Sequence, residues 1–162
     1  MILYIIRHGQ AEIHSASGHD ADRELVEHGH LQAAAIAEFL LDRDEQCPSR
    51  IIASPYARAQ QTAGSIWSSL GIDHETDDRL AADRSASDIM NLLADQPTTE
   101  SIGIVGHNPT VSRLADILIS GTTAKSQFSM RTGELICMRI NPQSPAASAQ
   151  LIAQFRLGDS HI

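Results

Sequence analysis

Short apolar runs frame the chain, each closed by a polar residue or a glycine. Leu3-Tyr4-Ile5-Ile6 is β-branched and aromatic without a polar interruption, which predicts a buried strand that ends in Arg7-His8-Gly9. Arg50-Ile51-Ile52-Ala53 predicts a second strand stopping at Ser54-Pro55, and Ile102-Gly103-Ile104-Val105 repeats the opening design before Gly106-His107. Gly133 precedes a further strand, Leu135 to Ile140. After the Pro- and Ser-rich turn from Asn141 to Ser148, Gln150 to Leu157 reads as its antiparallel partner, with the alternation of an edge.

Between these runs the apolar residues recur at helical spacing. From about Glu27 to Asp42, Leu31, Ala34, Ala35, Phe39 and Leu40 share one face and Gln32 and Glu38 the other, predicting a first packing helix. Ala59, Ala63, Ile66, Trp67 and Leu70 form the stripe of a second, with Gly71 as terminator and Trp67 read as core. Asp73 to Leu80 is ambiguous, reading as a short strand followed by a loop. Ser87 reads as the cap of a third helix running to Gln96, with Ile89, Leu92 and Leu93 buried and Pro97 beyond. Asn108 as N-cap and Pro109 as first helical residue open a fourth through Val111, Leu114, Ala115 and Leu118. Strands alternating with helices and a closing hairpin predict an α/β fold. The expected form is a three-layer α/β/α sandwich with a mostly parallel central sheet and a C-terminal antiparallel hairpin, ligands lying at the carboxyl ends of the strands.

The length of 162 residues fits one domain over 1–162, undivided by a long linker or a repeat. A formal net charge of −8 argues against a nucleic-acid or anionic-membrane surface, while leaving room for an anion in a local cationic pocket. No apolar stretch approaches bilayer length and the start lacks the features of a signal peptide, so the expected location is the cytoplasm. Cys47 and Cys137 are far apart, which offers neither a zinc knuckle nor a redox CxxC, and both read as reduced thiols. The polar stretch Gln10 to Glu24 reads as a loop beside the first strand end. It holds His14, His19, Asp20 and Asp22, with His28 and His30 just beyond, but no pair has the helical setting of a His-Glu-x-x-His site, and a solvated loop is preferred to a metal site.

Arg7, His8, Arg58 and His107 each follow a predicted strand or begin the helix after one, so one fold can converge all four on a single crevice. Arginine offers a flat fork of donors suited to phosphate, and a neutral imidazole is a nitrogen nucleophile able to carry a phosphoryl group between two half-reactions. The pattern points to phosphoryl transfer.

Three ordered stretches then carry a resemblance: Arg7-His8-Gly9, Ser54-Pro55-Tyr56-Ala57-Arg58-Ala59-Gln60-Gln61-Thr62 and Gly106-His107-Asn108-Pro109. The chain resembles the histidine phosphatase, or phosphoglycerate-mutase-like, superfamily. Its block spacing and lack of a large inserted lid are most similar to the small SixA-type phosphohistidine phosphatases of bacteria. Arg23-Glu24-Leu25 with Gly29 also resembles that branch's Arg-Pro-Leu-Thr-x-x-Gly segment, with Glu24 and Val26 in place of its Pro and Thr.

The resemblance implies a cofactor-independent, metal-free phosphatase in which His8 is the nucleophile, Arg7 and Arg58 hold the phosphoryl oxygens and His107 supports the developing charge. It implies a phosphorylated protein partner, such as a histidine-phosphotransfer domain or a histidine kinase. A small-molecule phosphomonoesterase of the same fold and a non-catalytic phosphate-binding module remain as alternatives. One departure bears on the choice. Many relatives carry Asp-x-Arg-Leu-x-Glu, whose glutamate protonates a departing alkoxide; Asp77-Asp78-Arg79-Leu80-Ala81-Ala82 places alanine there, with Asp83 adjacent. An imidazole leaving a phosphoramidate has less need of that acid, so the departure favours a P–N substrate unless Asp83 or Glu12 serves instead.

Overall fold

The computed structural model describes residues 1–43, 47–97, 99–124 and 126–158. Strands β1 (Ile2–Arg7), β2 (Arg50–Ala53), β3 (Asp73–Thr76), β4 (Ser101–Gly106), β5 (Glu134–Arg139) and β6 (Gln150–Arg156) form one sheet in the order β3-β2-β4-β1-β5-β6. The first four in that order run parallel, while β5 is antiparallel to β1 and pairs with β6 as a hairpin. Helices α1 (Glu27–Leu41), α2 (Ala57–Leu70), α3 (Ala86–Ala94) and α4 (Thr110–Ser120) complete the α/β/α sandwich.

Alternation along the strands divides the core. Leu3 and Ile5 of β1 point, with Ile102 and Ile104 of β4, into the layer of α3 and α4. Tyr4 and Ile6 point into the layer of α1 and α2, against Ile36, Leu40 and Ile66. Adjacent strands β1 and β4 therefore send their following helices to opposite faces, and a crevice opens between their carboxyl ends. The register makes these ends level, because Arg7 pairs with Gly106 and Ala53 with Val105. Thus His8, His107 and Ser54 emerge at one height. β1 and β2 are not neighbours, since β4 lies between them; Arg58 reaches His8 across the end of β4 rather than from an adjoining strand.

Local expectations differ in three places. In α1 the inward face carries Gly29, Gln32, Ala33, Ile36, Ala37 and Leu40, whereas Leu31 is 56% exposed and Ala34 also faces solvent. The helix is rotated because Gly29 lies directly on the Gln10 backbone, and Gln32 is drawn inward to accept from Gln10 N–H (2.8 Å) and donate to the Thr132 carbonyl (2.8 Å). Helix α3 is capped by Ser85 rather than Ser87: Ser85 and Asp88 form a reciprocal capping box that satisfies two backbone donors. Asn108 does not cap α4. Its peptide bond to Pro109 is cis, and its side chain instead accepts from Ser112 Oγ (2.8 Å) and donates to the Met130 carbonyl (2.7 Å). Trp67 is partly buried and stacks on His74 of β3, with ring centroids 4.6 Å apart.

Candidate active site

His8 stands one residue beyond β1 and is 7% exposed. Its Nδ1 lies 2.7 Å from the Gly9 carbonyl oxygen, which can only accept, so Nδ1 carries the ring proton. The lone pair is thereby left on Nε2, where Arg58 Nε donates to it at 3.2 Å. Burial, together with the charges of Arg58, Arg7 and Arg23, outweighs the Gly9 hydrogen bond and pushes the imidazole down to about 4. At neutral pH the ring is uncharged, as a nitrogen nucleophile must be.

Arg58 is buried in the first turn of α2, with its guanidinium over the Tyr56 ring at 5.0 Å. Thr62, one turn on, locks this helix to β1. The Gly9 N–H donates to Thr62 Oγ1 (3.0 Å), and the Thr62 hydroxyl donates to the Arg58 carbonyl (2.7 Å). Arg7 donates through Nη1 to the Met130 carbonyl (2.8 Å), the same oxygen that Asn108 holds.

His107 follows β4, 3% exposed, with its ring centroid 5.0 Å from that of His8. Its Nε2 is 2.7 Å from Ser54 Oγ, which already accepts from Tyr56 N–H at 3.3 Å. A hydroxyl that has accepted once can still accept again or donate, so this contact is compatible with either His107 tautomer. Burial, then the neighbouring His8 and Arg58, push His107 down to about 3. Two buried side-chain nitrogens in this site, His107 Nδ1 and Arg7 Nε, have no partner among the described residues. An unsatisfied buried donor costs about 1–3 kcal/mol, which an anionic oxygen would recover.

All four residues singled out from the sequence, Arg7, His8, Arg58 and His107, therefore meet at the β1/β4 crevice. Arg58 Nε faces the His8 lone pair, and the His107 ring and the Arg7 charge lie close by, an arrangement able to accept a phosphoryl group and to share its oxygens' charge. The two carboxylates named as possible acids are not bonded to any of these four residues. The Asp83 side chain is 75% exposed and sits 4.0 Å from Arg84, and Glu12 accepts from the Glu24 N–H at 3.2 Å. Sequence reasoning passed over Ser54 and Thr62, although both lie in the stretch around Arg58, and it took Asp20 only as a member of the histidine-rich loop. Asp20 in fact accepts from Arg58 through both its carbonyl (2.7 Å) and Oδ2 (3.0 Å). His28 and His30 are exposed on α1, and among the described residues no group of three or more His, Cys, Asp or Glu is placed to hold a metal ion.

Fold and crevice define an α/β protein of the phosphoryl-transfer kind. Residues 3–82 match the family described as histidine phosphatase superfamily (branch 1). A provisionally assigned phosphohistidine phosphatase SixA from Agrobacterium tumefaciens superposes with a TM-score of 0.81 at 27% identity, over 97% of this chain and 98% of its own. The protein histidine phosphatase SixA complexed with tungstate gives a TM-score of 0.82 at 21% identity, over 96% and 97% of the two chains. A mycobacterial glucosyl-3-phosphoglycerate phosphatase complexed with VO3 shares the fold at a TM-score of 0.69 and 19% identity, over 94% and 97%. No curated protein sequence matches the chain. Sequence over residues 3–82 and fold over nearly the whole chain are those of the histidine phosphatase superfamily.

Proposed function

We propose that the protein is a cofactor-independent phosphatase that hydrolyses phosphohistidine on a partner protein, such as a histidine-phosphotransfer domain or a histidine kinase, through a phosphohistidine intermediate on His8. The observation that carries this reading is the His8 ring, with Nδ1 donating to the Gly9 carbonyl and the Nε2 lone pair held by the Arg58 Nε–H. In the first half-reaction the Nε2 lone pair attacks phosphorus as the substrate P–N bond breaks and its electron pair leaves on the partner's imidazole, and the Arg58 Nε–H that Nε2 had held is released to a phosphoryl oxygen. Arg7 supplies a further donor to that group, as does His107 when Nδ1 carries the ring proton. As His8 becomes a phosphorylated imidazolium, the Gly9 carbonyl stabilises its positive charge. Water then attacks phosphorus, the P–N bond to His8 breaks with its electron pair returning to Nε2, and the water's proton passes to the departing phosphate or to solvent.

The choice of a P–N substrate is supported by the acid side. Ala82 stands where the superfamily's glutamate is expected, and Asp83 points to solvent beside Arg84. An alkoxide needs a proton as it leaves, whereas a neutral imidazole does not. Among the described residues no helix is long and apolar enough to cross a membrane. The native protein is expected to hydrolyse a phosphohistidine peptide with a kcat/KM at least about 100-fold above that for an aliphatic phosphomonoester, the scale of a missing general acid. Parallel steady-state assays measure this. Equal or better monoester turnover would assign the protein to the small-molecule phosphatases, and tight phosphate binding without turnover of either substrate would make it a binding module.

A further inference from the structure

One carboxylate is joined to the nucleophile by a single guanidinium. Arg58 divides its donors: Nε faces His8 Nε2 at 3.2 Å, while Nη1 and Nη2 face the Asp20 carbonyl and Oδ2 at 2.7 and 3.0 Å. The other carboxylate oxygen, Oδ1, accepts from Arg23 Nε at 2.8 Å. The two ends of this chain differ in exposure, because Arg58 is 3% exposed whereas the Asp20 side chain is 57% exposed. Asp20 is therefore on the outer, solvent side of the site and His8 on its floor. Asp20 also forms a wall of a surface cleft of about 150 Å³, together with Ile13, His14, His19 and Arg23.

In-line phosphoryl transfer puts the leaving atom opposite the attacking nitrogen, across phosphorus. With His8 at the floor, the leaving group lies outward, on the side where Asp20 stands. Each Asp20 oxygen is engaged by one arginine and keeps lone-pair capacity for a further donor. The remaining carboxylates near the site are turned elsewhere: Glu12 to the Glu24 backbone, Asp22 to Ser17, and Glu134 to Arg131 N–H and Gln154.

We propose that Asp20 is the leaving-group residue: its carboxylate accepts a hydrogen bond from the distal ring N–H of the substrate phosphohistidine and so selects P–N over P–O substrates. This rests on the phosphohistidine reading above. The substrate ring enters protonated on the nitrogen remote from phosphorus, having taken that proton from solvent. His8 Nε2 forms its bond to phosphorus as the substrate P–N bond breaks. The electron pair of that bond stays on the substrate nitrogen, and neutral imidazole departs still carrying the N–H that Asp20 holds. No proton crosses to or from Asp20. A carboxylate beside the ring favours its cationic, cleavable form, but an ionised carboxylate has no proton to give an alkoxide. Partial burial would raise the Asp20 carboxyl, yet the hydrogen bonds and charges of Arg58 and Arg23 carry it below its ordinary value, which keeps it ionised. The cleft bounded by Ile13, His14 and His19 then receives the peptide that bears the leaving ring.

Asp20→Asn removes the charge while keeping the carbonyl and side-chain acceptors for Arg58, and the exposed position makes it a mild change for folding. Three quantities decide the matter in native and variant protein: kcat/KM for a phosphohistidine peptide, kcat/KM for p-nitrophenyl phosphate, whose phenolate leaves without a proton, and inhibition by inorganic phosphate. The ratio of the first to the second is expected to fall about 10–100-fold, the scale of one charge-assisted hydrogen bond, with phosphate inhibition retained. Equal losses on both substrates, with weakened phosphate inhibition, would overturn the proposal and make Asp20 a support for Arg58. Gains on both, with tighter phosphate inhibition, would instead make it a competing anion, and an unchanged ratio would make it a bystander. Native protein that cleaves no phosphohistidine peptide would refute the underlying reading, whatever the variant does.

Discussion

His8→Ala is expected to lose turnover of a phosphohistidine peptide by about 10⁴-fold or more, down to whatever rate the remaining donors sustain alone. The size follows from what the ring supplies. In the proposed mechanism Nε2 bonds phosphorus in the first half-reaction and releases it in the second, so alanine would remove both steps rather than weaken one contact. The rest of the site is built to support that atom: Gly9 fixes the tautomer, Arg58 faces the lone pair, and Thr62 ties β1 to α2. The fold should survive, because His8 lies beyond the strand and the core residues Leu3, Tyr4, Ile5 and Ile6 are untouched. Single-turnover assays on correctly folded variant measure the effect. A residual rate within tenfold of the native one would mean that His8 is not the nucleophile.

Gly29→Ala is expected to have the largest effect on stability. Gly29 sits in the first turn of α1, where an added Cβ would meet the Gln10 carbonyl oxygen at 2.0 Å and the Gln10 backbone carbon at 3.0 Å. These are backbone atoms and cannot swing aside. Gln10 is held there by its bond to Gln32 and by accepting from the Val26 N–H at 3.0 Å. Its neighbour Gly9 is also too close to the helix for a side chain, with a Cβ at that position 2.5 Å from the Gly29 carbonyl oxygen. The variant must separate α1 from the segment that leaves β1, at a cost of about 3 kcal/mol or more, and the Tm should fall by on the order of 10 °C. Because the displaced segment includes the Gly9 carbonyl that orients His8, kcat should fall too. Unchanged melting and turnover would show that this approach of backbones does not set the site.

These two residues illustrate what the sequence discloses. β1, β2 and β4 are short apolar runs buried on both faces, so each reads as a strand whatever its neighbours are, and the residue after each run is delivered to the crevice. That suffices to group His8 and His107 with Arg58. Gly29, by contrast, carries no local signal: its need for a bare Cα comes from Gln10, nineteen positions away in the chain. The same contact rotates α1, which is why spacing put Leu31 inward while the fold buries Gln32 for its hydrogen bonds. Helix starts failed in a similar way. Ser87 and Asn108 are both good capping types, but Ser85 has Asp88 three residues on, and Asn108 is committed to Met130 and Ser112. Asp20 was hidden among histidines because its partner, Arg58, belongs to a distant helix and meets it only in the folded chain.

The covalent step is open to direct observation. Rapid quenching of the native protein with a radiolabelled phosphohistidine peptide is expected to trap phosphate on the enzyme that is acid-labile and alkali-stable. Peptide mapping should place it on His8, and His8→Ala should carry none. A label that resists acid, a label mapped to another residue, or hydrolysis with no labelled enzyme at any quench time would contradict the account.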